Sequence, residues 1–342
     1  MAPSVASPRA GKRRAGCGTR ALGWLASIYS VALVALGILG MGVAEQWWLG
    51  TLAAYLPQWP FAACGLALAA LCALLRTWRP SVAVALSSAI FYAVCCGFAV
   101  GSPQPSEPGA LRVLTYNIHG GRGGLDALAE TILRERPHIA CLQEADWPDR
   151  VRGFPQEMAG RLKGYRCFSS RGLMVASRIP MLSSRTVLLS KQSEFRPALV
   201  VTAKLADAEV TVICVHFANG RANQTLFKHT NGLEEYFDAA ADIREAQAVS
   251  ITNLVGKIDG PLVVCGDFNT PPRGQVYEQI AAALTDSYRE SALGLGCTYP
   301  SNLPMLRIDY IWHNRHAEAL QARVINTRAS DHRPVVAEIA LD

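Results

Sequence analysis

The sequence has no Cys-x-x-Cys pair and no Cys/His spacing of the kind that builds a structural zinc site, so its ten cysteines are not a zinc framework. They are not a disulfide framework either. Cys17, Cys64, Cys72, Cys95 and Cys96 fall in the apolar first third, and Cys141, Cys214 and Cys265 sit in short apolar runs that read as core. Cys167 and Cys297 are a pair that an oxidising compartment would allow and that nothing in the sequence demands. There is no internal repeat and no low-complexity tract, which sets aside solenoids and arrays. Basic excess is missing where a nucleic-acid binder would need it. Of the net charge of +6, residues 1–109 carry +5, and residues 110–342 are almost neutral. A surface that grips nucleic acid clusters Lys and Arg on one face, so this balance weighs against a high-affinity nuclease.

Charge is also missing from three stretches near the start. Residues 21–43, 46–75 and 81–101 contain no Asp, Glu, Lys or Arg. A bilayer takes about 20 apolar residues to cross as a helix. Pro57 and Pro60 place the start of the second span near Trp59, which gives expected transmembrane helices at about 21–43, 59–76 and 81–101. Trp24, Trp47, Trp48, Trp59 and Trp78 lie near their ends, where an interfacial belt belongs. Positive charge sets the expected orientation. The basic tail, residues 1–20 with Lys12, Arg13 and Arg14, stays cytoplasmic, Arg76 and Arg79 mark the next cytoplasmic loop, and the C-terminal part is then extracytoplasmic, periplasmic or extracellular. The implied partner of the first hundred residues is a lipid bilayer.

Residues 102–110 are rich in Pro and polar residues and read as a linker, leaving 111–342 as one unit. Within it, short apolar runs alternate with helical patterns, as in an α/β layered fold. Several strands end in polar residues. LRVLTYNI ends near Asn117, the run from 138 ends in Glu144, the run from 210 reaches His216, and PLVVCGDFN delivers Asp267 and Asn269. Side chains alternate along a strand, so Asp267 and Asn269 share a side while Phe268 packs on the other. The run from 307 carries Asp309, and Ser330-Asp331-His332 precedes the last strand. Helices are expected at 125–136, 148–164 with a break near Pro155, 231–255 and 275–284.

Oxygen donors dominate this set, which suits a hard cation such as Mg²⁺ or Mn²⁺ better than zinc. Such a cation polarises a phosphoryl oxygen while a carboxylate or an imidazole handles the protons. Each residue also has a plainer reading. Asn117 alone would serve as a turn cap, His216 as a satisfied core histidine, and Arg196 as the partner of Glu194. Glu144 at a buried strand end is costly unless paired or metal-bound.

Six segments, TYNI at 115–118, LQE at 142–144, VHF at 215–217, GDFN at 266–269, RIDYI at 307–311 and SDH at 330–332, occur in the order found in the endonuclease/exonuclease/phosphatase superfamily. The chain from 110 to 342 resembles that family, whose fold is that of pancreatic deoxyribonuclease. The resemblance implies a four-layer α/β sandwich of two mixed β-sheets flanked by helices, here preceded by a three-helix transmembrane region. It also implies roles. Glu144 would be the principal metal ligand, helped by Asn117 and Asp331, with Mg²⁺ or Mn²⁺ as cofactor. His332 would be the base or phosphate-stabilising group, oriented by Asp309, because neighbours such as Asp331 point apart in extended chain. Asp267 and Asn269 would position water and phosphate, His216 would contact phosphate or protonate the leaving group, and Arg196 would bind phosphate. The architecture is similar to bacterial membrane-anchored members of the superfamily. The resulting expectation is a membrane-anchored phosphoesterase acting on lipid-linked or small extracytoplasmic phosphoesters. A tethered nuclease acting on DNA or RNA, and a pseudoenzyme that binds phosphorylated ligands, are the alternatives.

Overall fold

The computed structural model describes residues 17–145, 153–189, 196–218 and 232–342. The basic cluster at residues 12–14, the start of the helix expected from 148 and Glu194 lie outside the described residues. Contacts divide the chain into two compact units, one made of residues up to 35 with 60–91 and the other of 36–59 with 92–342.

Among the described residues, two helices are long and apolar enough to cross a membrane, α1 (Cys17–Gly42) and α4 (Trp78–Cys95). A third apolar stretch is a pair, α2 (Trp48–Tyr55) and α3 (Trp59–Leu74), bent by 72°. The expected three long spans are therefore two long helices and one bent pair, three spans only if that pair counts as one. The prolines at 57 and 60 account for the bend, since proline withholds an amide and its ring obstructs the preceding turn. In the first unit the helices pack through small residues, with Ala26, Ala69, Cys72 and Val84 buried together. A Cβ on Gly65 would come 2.0 Å from Ser88 Oγ, so only glycine permits that approach. Large apolar side chains such as Ile28, Val31, Ile38, Leu86 and Ile90 point outward, the distribution compatible with insertion in lipid.

Residues from 111 onward form two six-stranded sheets. The first runs β13 (Ala317–Val324), β14 (Val335–Leu341), β2 (Leu111–Asn117), β3 (Ile139–Gln143), β5 (Leu173–Ser177), β4 (Arg166–Ser170). The second runs β10 (Thr285–Asp286), β12 (Asp309–His313), β9 (Leu262–Asp267), β8 (Ala208–His216), β7 (Ala198–Leu205), β6 (Met181–Val187). Both are mixed, with one parallel pair each, β2 with β3 and β8 with β9, among antiparallel neighbours. A further short pairing joins β1 (Ala99–Val100) to β11 (Leu293–Gly294).

Period-two alternation builds the layers. Leu111 and Val113, Ile139 and Cys141, Val212 and Cys214, Val263 and Cys265, and Ile311 face the space between the sheets and form the central core. The intervening residues of β2 and β3, Leu114, Tyr116, Ala140 and Leu142, pack against the helices Leu125–Glu135 and Phe154–Arg161. Those of β8, β9 and β12, Ile213, Val264, Tyr310 and Trp312, pack against the helices Leu233–Val255 and Gln275–Ala281. Helix, sheet, sheet, helix is the four-layer sandwich the sequence led us to expect.

Some local expectations shift. Of the helix expected at 148–164, the described residues show Phe154–Arg161, with Pro155 in its first turn, where no amide partner is lost. The edge strand β6 carries exposed residues from Leu182 to Thr186 and shows no core pattern. Cys167 and Cys297 are free thiols. Residues 102–110, expected as a linker, are held down in part, with Ser102 N donating to the Glu290 carbonyl at 3.1 Å and Gln104 N to the Leu320 carbonyl at 2.7 Å.

Candidate active site

The core rows of five strands run out in polar residues at one end of the sandwich. The row of β2 continues from Val113 through Thr115 to Asn117, that of β8 from Cys214 to His216, and that of β9 from Cys265 to Asp267. β12 is antiparallel to β9, so its row begins at the same end, with Asp309 opposite Asp267. His216 is opposite Asp267 on the other side. The register places three of the expected site residues across three adjacent strands. β3 contributes Gln143, whose side chain donates to Thr115 Oγ1 on the neighbouring β2, and then Glu144.

Asp267 is the hub. Its Oδ2 accepts from Asn117 Nδ2 at 2.9 Å and lies 3.5 Å from His216 Nε2 and 3.8 Å from His332 Nε2. Its Oδ1 accepts the Asn269 amide at 2.8 Å. Burial and the Asp309 carboxylate push the Asp267 carboxyl up to about 7, against the opposing pull of His332 and of its hydrogen bonds. His332 Nδ1 meets Asp309 Oδ2 at 2.9 Å, and the imidazole stacks obliquely on Tyr299 with ring centres 4.8 Å apart. Burial alone would lower the His332 pKa, but Asp309 and Asp267 outweigh it and hold the ring protonated, up to about 10. His216 goes the other way, held well below the usual histidine value by burial, by Arg196 and by His332. The two imidazoles thus differ in charge at neutral pH.

Glu144 follows β3 with a left-handed backbone, φ 55°, a conformation costly for a non-glycine residue and found where the surroundings overdetermine it. Its Oε1 accepts from Asn117 Nδ2 at 3.3 Å and lies 4.0 Å from His216 Nε2. Asn269, also left-handed at φ 49°, donates to the Phe217 carbonyl at 3.1 Å, and Arg196 Nη1 donates to the same carbonyl at 2.8 Å. Arg196 and Asn269 are therefore held beside the site through one shared acceptor. Behind them Phe268 packs on Phe217 and Tyr310, with centroids 4.9 and 5.6 Å away, fixing the turn that carries Asp267 and Asn269.

Asp331 stands apart from this hub. Its Oδ1 lies 3.3 Å from His119 Nδ1 and accepts from Ser330 Oγ at 3.2 Å, at a half-exposed position. The sequence reading missed Ser330 and Tyr299. Ser330 Oγ donates to the Asn117 carbonyl at 2.7 Å and ties the loop of His332 to β2. Its place in the Ser-Asp-His segment was a signal for it; Tyr299 carried none, because it reaches His332 only through the folding of the loop before β12.

The donor set fits a hard cation. Glu144 and Asp267 turn carboxylate oxygens on the same Asn117 amide, and the buried atoms His216 Nε2 and Asp309 Oδ1 find no hydrogen-bond partner among the described residues. Asp267, Asp309 and His332 also meet within 4.8 Å of one another, where the protonated imidazole offsets the two carboxylates and has no free lone pair for a metal. Among the described residues Glu144 has no such counter-ion beside it, and a buried carboxylate is costly unless paired or metal-bound.

A model of the Endonuclease/Exonuclease/phosphatase family matches residues 114–332. No curated protein matches the chain. Solved structures share the fold. An endonuclease/exonuclease/phosphatase family protein from Bacteroides thetaiotaomicron is 18% identical with a TM-score of 0.53, the match covering 70% of this chain and 97% of that one. A mannosyl-6-phosphatase of the same organism is 18% identical with a TM-score of 0.53, over 68% of this chain and 100% of that one. TDP2 of D. rerio, complexed with a single-strand DNA product, is 15% identical with a TM-score of 0.53, over 68% of this chain and 100% of that one.

Proposed function

The chain belongs to the endonuclease/exonuclease/phosphatase family, and from that premise we propose that it is a membrane-anchored, divalent-metal-dependent phosphoesterase whose substrates are lipid-linked or small extracytoplasmic phosphoesters. The observation that carries the chemistry is the pairing of unlike groups around one point. A carboxyl tuned to about 7, Asp267, lies 3.8 Å from an imidazole held protonated by Asp309. A base works best with a pKa near the working pH, and an acid needs its proton there.

Asp267 takes the proton from the attacking water. Asn269 holds that carboxylate's turn in place, and His332 donates toward the phosphoryl oxygens, its charge maintained by Asp309. Neutral His216 contacts the leaving-group side, and Arg196 offers its remaining guanidinium N–H groups to phosphate. Glu144, with Asn117 and with Asp331 on the rim, would hold Mg²⁺ or Mn²⁺. Bound there, such a cation polarises a phosphoryl oxygen and offsets the negative charge that develops on it. The nearly neutral charge of residues 110–342 and the apolar helices before them support a substrate delivered at a membrane rather than a long polyanion.

Full-length protein in detergent with Mg²⁺, offered plasmid DNA, phospholipid and a polyprenyl pyrophosphate in parallel, tests this reading. We expect release of phosphate or headgroup with the plasmid intact. Nicking of the plasmid instead would make the protein a tethered nuclease, and binding of all three without turnover would make it a pseudoenzyme.

The orientation has its own test. A phosphatase reporter active only outside the cytoplasm, fused after Asp342, is expected to be active; an inactive fusion with an active one after Arg76 would reverse the proposed topology.

A further inference from the structure

The loop after Asp267 and Asn269 reaches back to residues about two hundred positions before it in the chain, all within the second unit. Arg273, four residues past Asn269, is a buried cation with three carbonyl partners. Its Nε donates to Ala54 O at 2.6 Å, its Nη2 to Leu56 O at 3.1 Å and its Nη1 to Cys95 O at 3.0 Å. Those carbonyls close α2 and α4, and the last carbonyls of a helix lack intrahelical partners and carry its partial negative charge. One guanidinium thus satisfies two helix ends.

The reciprocal contact runs the other way. Glu45, just before α2, accepts the Gln275 amide at 2.7 Å, the first residue of the helix Gln275–Ala281. Glu45 is buried and left-handed at φ 65°, a strained backbone that persists only where its surroundings hold it. A Cβ on Gly274 would come 2.6 Å from its carboxylate, so the seat is tight. Between these anchors, Tyr55 Oη lies 3.2 Å from Thr270 Oγ1 and the Arg244 guanidinium stacks 4.6 Å above the Tyr55 ring. Arg244 also donates to Ala218 O at 3.3 Å, directly after Phe217, whose carbonyl Arg196 and Asn269 share.

We infer that residues 45–56 are a built-in brace behind the candidate site, in which Glu45, Tyr55 and Arg273 are positioning residues that hold the loop of Asp267 and Asn269 in order. The order of that loop then depends on the apolar segment being seated, and the segment's order depends on the loop. Neither contact is made by residues 111–342 alone.

Hydrogen exchange followed by mass spectrometry on the full chain in detergent tests this without reference to turnover, so it stands or falls separately from the phosphoesterase reading. Glu45→Ala is expected to speed exchange of peptide 268–276 at least about tenfold, the loss of a hydrogen bond to a charged group, while peptides of β2 and β3 are unchanged. Arg273→Gln is expected to speed exchange in 48–58 by a similar factor. Tyr55→Phe, which keeps the ring over Arg244 and is the variant safest for folding, should speed 268–276 by about threefold and nothing else. Unchanged exchange at 268–276 in Tyr55→Phe, and in Glu45→Ala where it folds, overturns the inference. So does a rise spread evenly over all strands, which would mean lost stability and not lost positioning.

Discussion

Replacing His332 by alanine lowers turnover of the preferred phosphoester by about 10²- to 10⁴-fold, and Asp267→Asn does the same, these being the magnitudes a single acid or base supplies. The reason is the arrangement at the end of the sandwich. Asp267 is close to two imidazoles and to Asn117 and Asn269, so among the described residues no other carboxylate has its position and tuning. The pH profile separates the two roles. With Asp267 held near 7, kcat/KM rises as pH passes 7, because the base must lose its proton; with His332 held near 10, it falls above 10, because the acid must keep its own. Asp309→Asn removes the charge that holds the His332 proton, so the alkaline limb moves to lower pH while the acid limb moves down only as far as Asp309 had raised Asp267. A profile with an unmoved alkaline limb in Asp309→Asn would remove His332 from the acid role. Thermal unfolding of each variant, followed by circular dichroism, shows whether the fold survives.

Chelation is expected to abolish activity and added Mg²⁺ or Mn²⁺ to restore it, with a loss of about 10³-fold or more, since a cation polarising a phosphoryl oxygen contributes several kcal/mol to the transition state. Glu144→Gln should raise the Mg²⁺ concentration needed for half-maximal rate far more than it changes the KM for substrate. The expectation follows from the placement of Glu144, which meets Asn117 Nδ2 together with Asp267 on a strained backbone that nothing in strand pairing requires. Calorimetric titration of Mg²⁺ into the wild type and Glu144→Gln checks it without substrate. Full activity in excess chelator would end the metal reading.

The site was largely legible because each strand announces its end. Asn117, His216 and Asp267 stand where apolar runs stop and Asp309 where one starts, and period-two alternation makes them share one side with the core residues of their strands. Asp331 could not be placed that way. It lies on a loop beside a catalytic-type histidine, and only the fold shows it turned to His119 and Ser330. Tyr299 was silent for the same reason, and Ser330 showed only its place beside Asp331 and His332, since a loop's side-chain directions are set by what it packs on.

The first hundred residues divide likewise. Three charge-free stretches told of apolar helices, but the 72° bend between α2 and α3 and the packing of Gly65 on Ser88 depend on backbone approach. The sequence by itself determined the alternation of apolar strands and helices, the family motifs and the charge asymmetry, because burial period, residue chemistry and net charge are local properties of the chain. The fold decided which strand ends meet, that Asp331 turns to His119 and Ser330, and that Arg273 closes two distant helix ends. Those are pairings across as many as two hundred residues, fixed by sheet register and by the need of buried polar groups for partners, and neither is written in any single stretch of sequence.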